Sequence, residues 1–207
     1  YDLCASVAKQ LTILRPNDDA ARVTLIKYLR ITQQFATLTD EMRQLAENYI
    51  RKDEPRKASQ ILKSILQILP DDTRARTQYI DTYRLVGSET DLVLDYAKLA
   101  EIYTKHGNVL EATRIYEKIF HIDPNHLELR DKFIEFLLVN GQTTRAISET
   151  YQLVDLALAA GHPRKSQRAL ERVTRHVGND ADINYLLGRV YRDLNSRGIA
   201  AKQFEFA

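Results

Sequence analysis

Four arginines are spaced so that they can share one face of a helix. Arg164, Arg168, Arg172 and Arg175 are separated by 4, 4 and 3 positions, and side chains three or four residues apart lie on the same side of an α-helix. Guanidinium groups bind carboxylates and phosphates through charge-assisted hydrogen bonds. The spacing therefore indicates a site for an acidic peptide or a phosphate backbone. The alternative is an ordinary solvated helix face, since charged residues occupy most exposed helix positions.

One histidine-rich turn could in principle approach a metal ion. His121, Asp123 and His126 flank Pro124, but two imidazoles and one carboxylate lack the fourth ligand of a closed zinc site. Ordinary turn residues are the favoured interpretation. The sequence also has no Gly-rich phosphate loop, no G-x-S-x-G, no H-E-x-x-H and no Cys/His nucleophile pattern. We therefore predict no enzymatic activity, no metal site and no cofactor.

Helix-breaking residues recur at a single interval along the chain. The turn signals are 54 positions apart: Pro16-Asn17-Asp18, Pro70-Asp71-Asp72, Pro124-Asn125-His126 and Gly178-Asn179-Asp180. Gly87 and Gly141 are also 54 positions apart, as are Gly107 and Gly161. A fixed period of this length is typical of repeat proteins, in which each repeat stacks on its neighbours.

Between the breakers, apolar residues follow helical spacing. Tyr96, Leu99, Ala100 and Tyr103 are 3, 1 and 3 positions apart, which places them on one helix face. The second repeat predicts helices near 73–86, 89–106 and 109–121, with Asp or His caps after the proline turns and left-handed glycines at helix ends. Counting all repeats, the sequence predicts an all-α protein of about twelve helices. We expect one α-solenoid domain over 1–207, with a partial repeat 1–18, full repeats 19–72, 73–126 and 127–180, and a partial repeat 181–207.

Equivalent positions in the repeats form packing columns of similar size. Leu45, Leu99 and Leu153 form one column, and Ala58, Ala112 and Ser166 form another. Small residues suit close helix contacts and large residues interdigitate.

These residues resemble the tetratricopeptide repeat (TPR) superfamily. The TPR pattern W-x2-L-G-x2-Y, A-x3-F and P is matched by Tyr96-x2-Leu99-Ala100-x2-Tyr103, Ala112-x3-Tyr116 and Pro124. The period differs, because 54 residues add one helix to the usual 34-residue pair. The resemblance implies a right-handed superhelical solenoid that acts as a non-catalytic scaffold for protein or peptide partners.

The resemblance also implies a groove lined by the non-packing side of the first helix of each pair. It nominates two sets of partner-binding residues: Arg43, Glu47 and Arg51, and then Ala97, Glu101 and Lys105. TPR domains that hold a terminal carboxylate use Lys and Asn at set positions of this face. Arg43/Glu47 and Ala97/Glu101 do not reproduce that set, so we reject this subtype.

The four arginines have basic counterparts in earlier repeats. Arg114, Lys118 and His121 lie one repeat earlier, and Arg56 lies one repeat before those. We call the surface predicted by these residues and the four arginines the basic ridge. It supports an acidic protein partner, and RNA binding is the alternative.

Composition limits the classes of partner and compartment. The 207 residues carry 30 Lys+Arg and 28 Asp+Glu, a net charge of +2, so no global field favours nucleic acid, and we expect none as the main partner. No apolar run approaches the roughly 20 residues of a membrane helix.

We interpret the chain as part of a longer protein, so a regulatory segment that positions an enzyme domain elsewhere is a third hypothesis. The lone Cys4 fits a cytoplasmic protein and leaves a bacterial envelope protein open, and terminal repeats without polar caps predict self-association.

Overall fold

The computed structural model describes residues 2–178 and 180–207, with side chains from residue 6 onward. That part of the chain forms twelve α-helices, one short 3-10 helix and no β-strand. The first six helices are α1 (Asp2–Leu14), α2 (Asp19–Ile31), α3 (Phe35–Arg51), α4 (Pro55–Ile68), α5 (Thr73–Tyr83) and α6 (Val93–Lys105), the last preceded by the 3-10 helix Glu89–Leu92. The others are α7 (Val109–Ile122), α8 (Leu127–Val139), α9 (Thr143–Ala159), α10 (Pro163–Val177), α11 (Ala181–Asp193) and α12 (Arg197–Glu205). The predicted all-α class and the number of helices are confirmed.

The chain divides into two compact halves, residues 1–102 and 103–207. In the N-terminal half, α1 to α4 each pack against the next helix along the chain. In the C-terminal half, α7 to α11 do the same, and α9 also contacts α11. The 54-residue repeats contain α2–α4, α5–α7 and α8–α10, so each full repeat has the three helices that the sequence predicts. That the whole chain forms a single repeat domain stays a prediction.

The turns have the capping chemistry that the sequence predicts. Four first helices of repeats begin after a capping side chain, which accepts from the backbone N–H three residues ahead. The caps are Asp18 to Ala21 at 3.1 Å, Asp72 to Ala75 at 2.9 Å, His126 to Leu129 at 3.3 Å and Asp180 to Ile183 at 3.2 Å. Asn179 of the fourth predicted turn lies outside the described residues.

The turn after the second helix of each repeat requires a left-handed residue. Gly107 and Gly161 have φ of 72° and 74° there, a region that glycine enters without steric cost. The first repeat has Asp53 at this position, with φ of 56°. The backbone path is therefore the same in three repeats, although the side chain differs.

The predicted packing columns are buried. Leu45, Leu99 and Leu153 are each at most 3% exposed, and Ala58, Ala112 and Ser166 are fully buried. Tyr96 and Tyr116 are also buried, whereas Tyr103, on the same predicted helix face as Tyr96, is half-exposed.

A column of buried arginines also repeats every 54 residues. Each lies in the first helix of its repeat and joins the preceding proline turn to the second helix. Nη2 donates to a proline carbonyl and Nη1 to a carboxylate: Arg22 to Pro16 (3.3 Å) and Glu41, Arg76 to Pro70 (2.8 Å) and Asp95, and Arg130 to Pro124 (2.9 Å) and Glu149. We call each such set an arginine clamp. In the fourth repeat the equivalent residue is Asn184, whose amide donates to the carbonyl of Phe206 at 3.1 Å.

Candidate functional site

An exposed face of the C-terminal half borders a cavity between α9 and the start of α11. The cavity has a volume of about 600 Å³. Side chains at i, i+3, i+4, i+7 and i+8 of α9 line it, together with two aspartates at the beginning of α11. We call this surface the Tyr151 face, and it comprises Thr144, Ile147, Ser148, Tyr151, Gln152, Asp180 and Asp182.

Tyr151 is fixed across the cavity by a hydrogen bond to the next repeat. Its hydroxyl donates to Asp182 Oδ1 at 3.0 Å. Burial and this hydrogen bond to a carboxylate raise the pKa of Tyr151 to about 12, because both disfavour the phenolate. The side chain is therefore a neutral hydroxyl over the ordinary pH range.

Two further contacts hold the Tyr151 face in place. Gln152 Oε1 accepts from Nη1 of the buried Arg130 at 2.8 Å, so one arginine clamp extends to the wall of the cavity. Asp155, one turn farther along α9, accepts from Arg189 of α11 at 2.6 Å. The face is consequently built from side chains with defined positions before any partner binds.

The chemistry of the face suits recognition of a polypeptide backbone. The hydroxyls of Thr144 and Ser148 can donate or accept. The amide NH₂ of Gln152 has no hydrogen-bond partner among the described residues and can donate to a carbonyl. Ile147 adds half-buried apolar surface. No cationic side chain, cysteine or histidine is among the residues that line this cavity.

The predicted groove residues of the first set occupy the equivalent face in the N-terminal half. Arg43 and Glu47 precede Tyr151 and Asp155 by two repeats. Arg43 forms ion pairs with Asp40, at 3.0 Å, and with Asp72. Glu47 pairs with Arg74 at 3.2 Å. In both halves these positions therefore join the second helix of a repeat to the first helix of the next.

Asp72 combines a helix cap with this contact. Burial favours the neutral acid, but the backbone N–H of Ala75 and the guanidinium of Arg43 outweigh it and lower the pKa of Asp72. The ionised carboxylate is therefore the form that the fold stabilises.

Of the remaining predicted groove residues, Ala97 is half-buried, whereas Arg51, Glu101 and Lys105 are exposed. On α6, Glu101 is exposed, with Oε2 3.5 Å from Lys98 Nζ, and Lys105 is exposed in the last turn. Arg51 ends α3 and donates to Asn48 and, at 3.4 Å, to Asn17.

The structure places the four arginines of α10 in two different environments. Arg164 and Arg168 are exposed and have no hydrogen-bond or ion-pair partner in the described chain. Arg172 is half-buried, donates to Asp131 and lies 3.7 Å from Glu135. The Arg175 Nε donates to the carbonyl of Glu171 at 3.2 Å. Ser166, Leu170 and Val173 of α10 are buried, and the burial of Ser166 confirms its predicted packing column.

A row of carboxylates on α8 borders the same part of α10. Glu128 lies 3.7 Å from Lys165, and Asp131 and Glu135 face Arg172. These carboxylates offset part of the positive charge of the basic ridge. On α7, Arg114 is exposed and Lys118 is half-buried.

Metal-binding clusters and membrane-spanning helices are both absent from the described part of the chain. Within residues 2–178 and 180–207, no three His, Cys, Asp or Glu side chains come together in a way that could bind a metal ion. None of the helices in this part of the chain is both long enough and apolar enough to cross a bilayer.

Sequence reasoning missed the residues that hold the Tyr151 face in position. Arg130 and Gln152 were not singled out, although Arg22, Arg76 and Arg130 recur at the repeat interval, as do Glu41, Asp95 and Glu149. A search for periodic charges, in addition to periodic apolar residues, would have found the arginine clamps.

Comparison with known proteins finds similarity among solved structures. No protein-family model matches the chain, and no curated protein matches its sequence. The human IFIT1 dimer with PPP-AAAA is 18% identical, with a TM-score of 0.42, over 96% of this chain and 56% of that one. This chain thus spans little more than half the length of IFIT1.

Two further structures are similar over nearly the whole chain. YrrB, described as a TPR protein with an unusual peptide-binding site, is 13% identical over 98% of this chain and 91% of that one, with a TM-score of 0.40. A putative kinesin light chain of Podospora anserina with nearly identical TPR-like repeats is 15% identical over 99% and 92%, with a TM-score of 0.38.

Proposed function

We propose that this chain is a non-catalytic repeat scaffold that binds an extended segment of a partner protein on the Tyr151 face. The observation that carries the proposal is the cavity of about 600 Å³ bordered by hydrogen-bonding side chains of α9 and α11. That volume lies within the range of roughly 300–1,000 Å³ typical of ligand sites. An extended segment presents unpaired backbone N–H and C=O groups, which these side chains can pair.

The fixed geometry of the face favours such binding. Tyr151 is tied to Asp182, Gln152 to Arg130 and Asp155 to Arg189. Side chains that are already ordered lose less conformational entropy when a partner binds, so more of the contact free energy appears as affinity. Ile147 supplies an apolar contact that a backbone-binding surface needs for a side chain of the partner.

The test is selection of peptides followed by a matched pair of substitutions. Peptides from a random 12-residue phage library are selected on the chain, and their affinities are measured by fluorescence anisotropy. Ser148→Arg fills the cavity from an exposed position of α9, and we expect it to weaken selected peptides by at least about tenfold. Ser64→Arg makes the same change on α4, where the hydroxyl bonds only to its own helix, and should leave affinity unchanged. Selection of no peptide, or equal affinity in both variants, contradicts the proposal.

A second candidate site is the exposed part of the basic ridge, for an acidic protein segment. Arg164 and Arg168 support it because their guanidinium groups are exposed and without partners in the described chain. Charge reversal with Arg164→Glu and Arg168→Glu should abolish binding of an acidic peptide and leave helicity intact. Arg172 is excluded from this test because it pairs with Asp131.

The RNA alternative for the ridge has a separate readout. Binding through phosphate contacts weakens steeply as salt concentration rises. The carboxylates on α8 and the pairing of Arg172 work against such binding. A flat salt dependence in filter binding of single-stranded RNA would exclude RNA as the partner.

A further inference from the structure

A second cleft lies in the N-terminal half and shares no residue with the Tyr151 face. It is formed where the turn between α3 and α4 meets the second half of α5, and it has a volume of about 220 Å³. We call it the Leu85 cleft. Its lining residues are Ile50, Asp53, Pro55, Gln78, Asp81, Thr82 and Leu85.

Two aliphatic side chains expose apolar surface in this cleft. Leu85 is 72% exposed and Ile50 is 44% exposed. A single exposed aliphatic residue is common on protein surfaces, but here two of them border one concavity together with Pro55. The cleft can therefore bury an apolar side chain supplied by another molecule.

Two carboxylates of the cleft also lack any partner in the described chain. Within the described chain, the side-chain carboxylates of Asp53 and Asp81 accept no hydrogen bond and form no ion pair. Every other carboxylate among residues 6–102 is engaged: Asp18, Asp19, Asp40, Glu41, Glu47, Glu54, Asp71, Asp72, Glu89, Asp91, Asp95 and Glu101. The two unpaired carboxylates of this half thus lie in the same cleft, where no cationic side chain is among the lining residues.

This pair of carboxylates does not recur at the equivalent positions of later repeats. The positions equivalent to Asp53 and Asp81 are Gly107 and Glu135 one repeat later, and Gly161 and Arg189 in the repeat after that. The acidic and apolar combination is therefore a property of this cleft and not of the repeat fold.

We infer that the Leu85 cleft is a docking site for a segment of a partner protein in which an aliphatic side chain is flanked by Lys or Arg. The aliphatic side chain packs against Ile50 and Leu85, and the flanking cations pair with Asp53 and Asp81. Charge complementarity fixes the class of occupant, since the cleft offers two unpaired anions and no cation. The site uses none of the residues of the Tyr151 face, so its experimental test is independent of the test of the proposed function.

The test uses three fluorescein-labelled hexapeptides and anisotropy. The probe is (Lys-Leu-Arg)₂, and the comparison peptides are (Glu-Leu-Glu)₂ and (Lys-Ser-Arg)₂. We expect the chain to bind the probe at least about fivefold more tightly than either comparison peptide. Asp53→Asn together with Asp81→Asn should weaken the probe by roughly five- to tenfold, as expected for the loss of two exposed ion pairs. Leu85→Ser should weaken the probe to the level of the serine peptide.

Matched controls separate docking from general attraction. Glu111→Gln with Glu205→Gln removes the same charge from the C-terminal half and should leave probe affinity unchanged, as should Ser148→Arg on the Tyr151 face. Circular dichroism verifies that each variant remains folded, which the exposure of Leu85 and Asp81 favours. Equal loss in both double variants, or equal binding of the lysine-serine peptide, overturns the proposal. So does a dimer in sedimentation velocity that Leu85→Ser dissociates, because the occupant is then a second copy.

Discussion

Arg130 of α8 and Glu149 of α9 form an ion pair inside the C-terminal half, with 4% and 15% of their side chains exposed. The other guanidinium nitrogen donates to the Pro124 carbonyl at 2.9 Å, and the guanidinium lies 4.2 Å from the centre of the Phe120 ring. One side chain therefore joins the turn that ends a repeat to two helices of the next.

Breaking this pair should destabilise the fold strongly. Arg130→Met leaves Glu149 without its cation in a desolvated site, and we expect the free energy of unfolding to fall by about 3–5 kcal/mol. The double variant with Glu149→Leu should recover most of that loss, since no charge then remains buried. Urea unfolding followed by circular dichroism measures both. Arg74→Met breaks an exposed pair and should cost less than about 1 kcal/mol; a similar loss for Arg74 and Arg130 would refute the clamp.

The cap at Asp72 should show a defined pH dependence. Because the pKa of Asp72 is lowered in the folded chain, its stabilising effect is complete above the ordinary carboxylate pKa and is lost as pH falls through the folded value. Asp72→Asn keeps the cap and removes only the ion pair with Arg43, whereas Asp72→Ala removes both and should cost about 0.5–2 kcal/mol for the cap alone. Unfolding curves at neutral and acidic pH test this. A gap between wild type and Asp72→Asn that does not narrow in acid would contradict it.

Tyr151 should titrate after most other tyrosines. Its pKa of about 12 predicts an absorbance step at 295 nm near that pH, and Tyr151→Phe should remove the step. Since the folded pKa is raised, the contribution of Tyr151 to stability is complete below the ordinary tyrosine pKa and is lost as pH rises toward the folded value. Asp182→Asn removes the hydrogen-bonded carboxylate and should shift the step to lower pH. An unchanged step in Asp182→Asn would show that burial alone sets the value.

Two adjacent core positions should respond to opposite changes in size. Leu99 and Ala100 are buried in α6. Leu99→Ala removes buried volume and should cost about 2–5 kcal/mol. Ala100→Leu overfills a close helix contact and should cost about 1–3 kcal/mol. Thermal unfolding that barely moved in either variant would show that the packing columns are misassigned.

Apolar residues at the end of α12 predict self-association. Ile199, Phe204 and Phe206 are exposed by 48%, 39% and 62%. We expect Phe206→Ser to reduce the concentration-dependent increase in sedimentation coefficient. Val139→Ser removes another exposed apolar side chain (75%) from the end of α8 and serves as the control. Identical behaviour of the two variants would argue against an interface at α12.

Periodicity in the sequence predicted the helices and their turns because backbone-breaking residues act locally. Pro55 and Pro163 begin α4 and α10, and Gly107 and Gly161 adopt the left-handed conformation, as their chemistry requires. Burial of the Leu45 and Ala58 columns followed from the same alignment of repeats.

The contacts of the candidate site could not be read from that alignment. Arg43 and Tyr151 occupy equivalent positions, yet one pairs with Asp72 and the other bonds to Asp182. Which residue of the next helix is within reach depends on the stacking geometry, which spacing along the chain does not specify. Likewise, Arg172 looked identical to Arg168 on a helical projection, and only the position of α8 separates the paired arginine from the free one.

The left-handed backbone conformation of Asp53 links the stability of this turn to the charge of the Leu85 cleft. Where glycine occupies the same turn, the conformation has no steric penalty, whereas an L side chain there costs up to about 1–2 kcal/mol, with Asp at the low end because its short polar side chain tolerates this region. Replacing Asp53 with glycine should therefore raise the free energy of unfolding and remove one carboxylate from the Leu85 cleft. Selection for heat resistance alone would favour Asp53→Gly. That variant would be more stable than the natural chain but would bind the proposed partner of the Leu85 cleft less tightly.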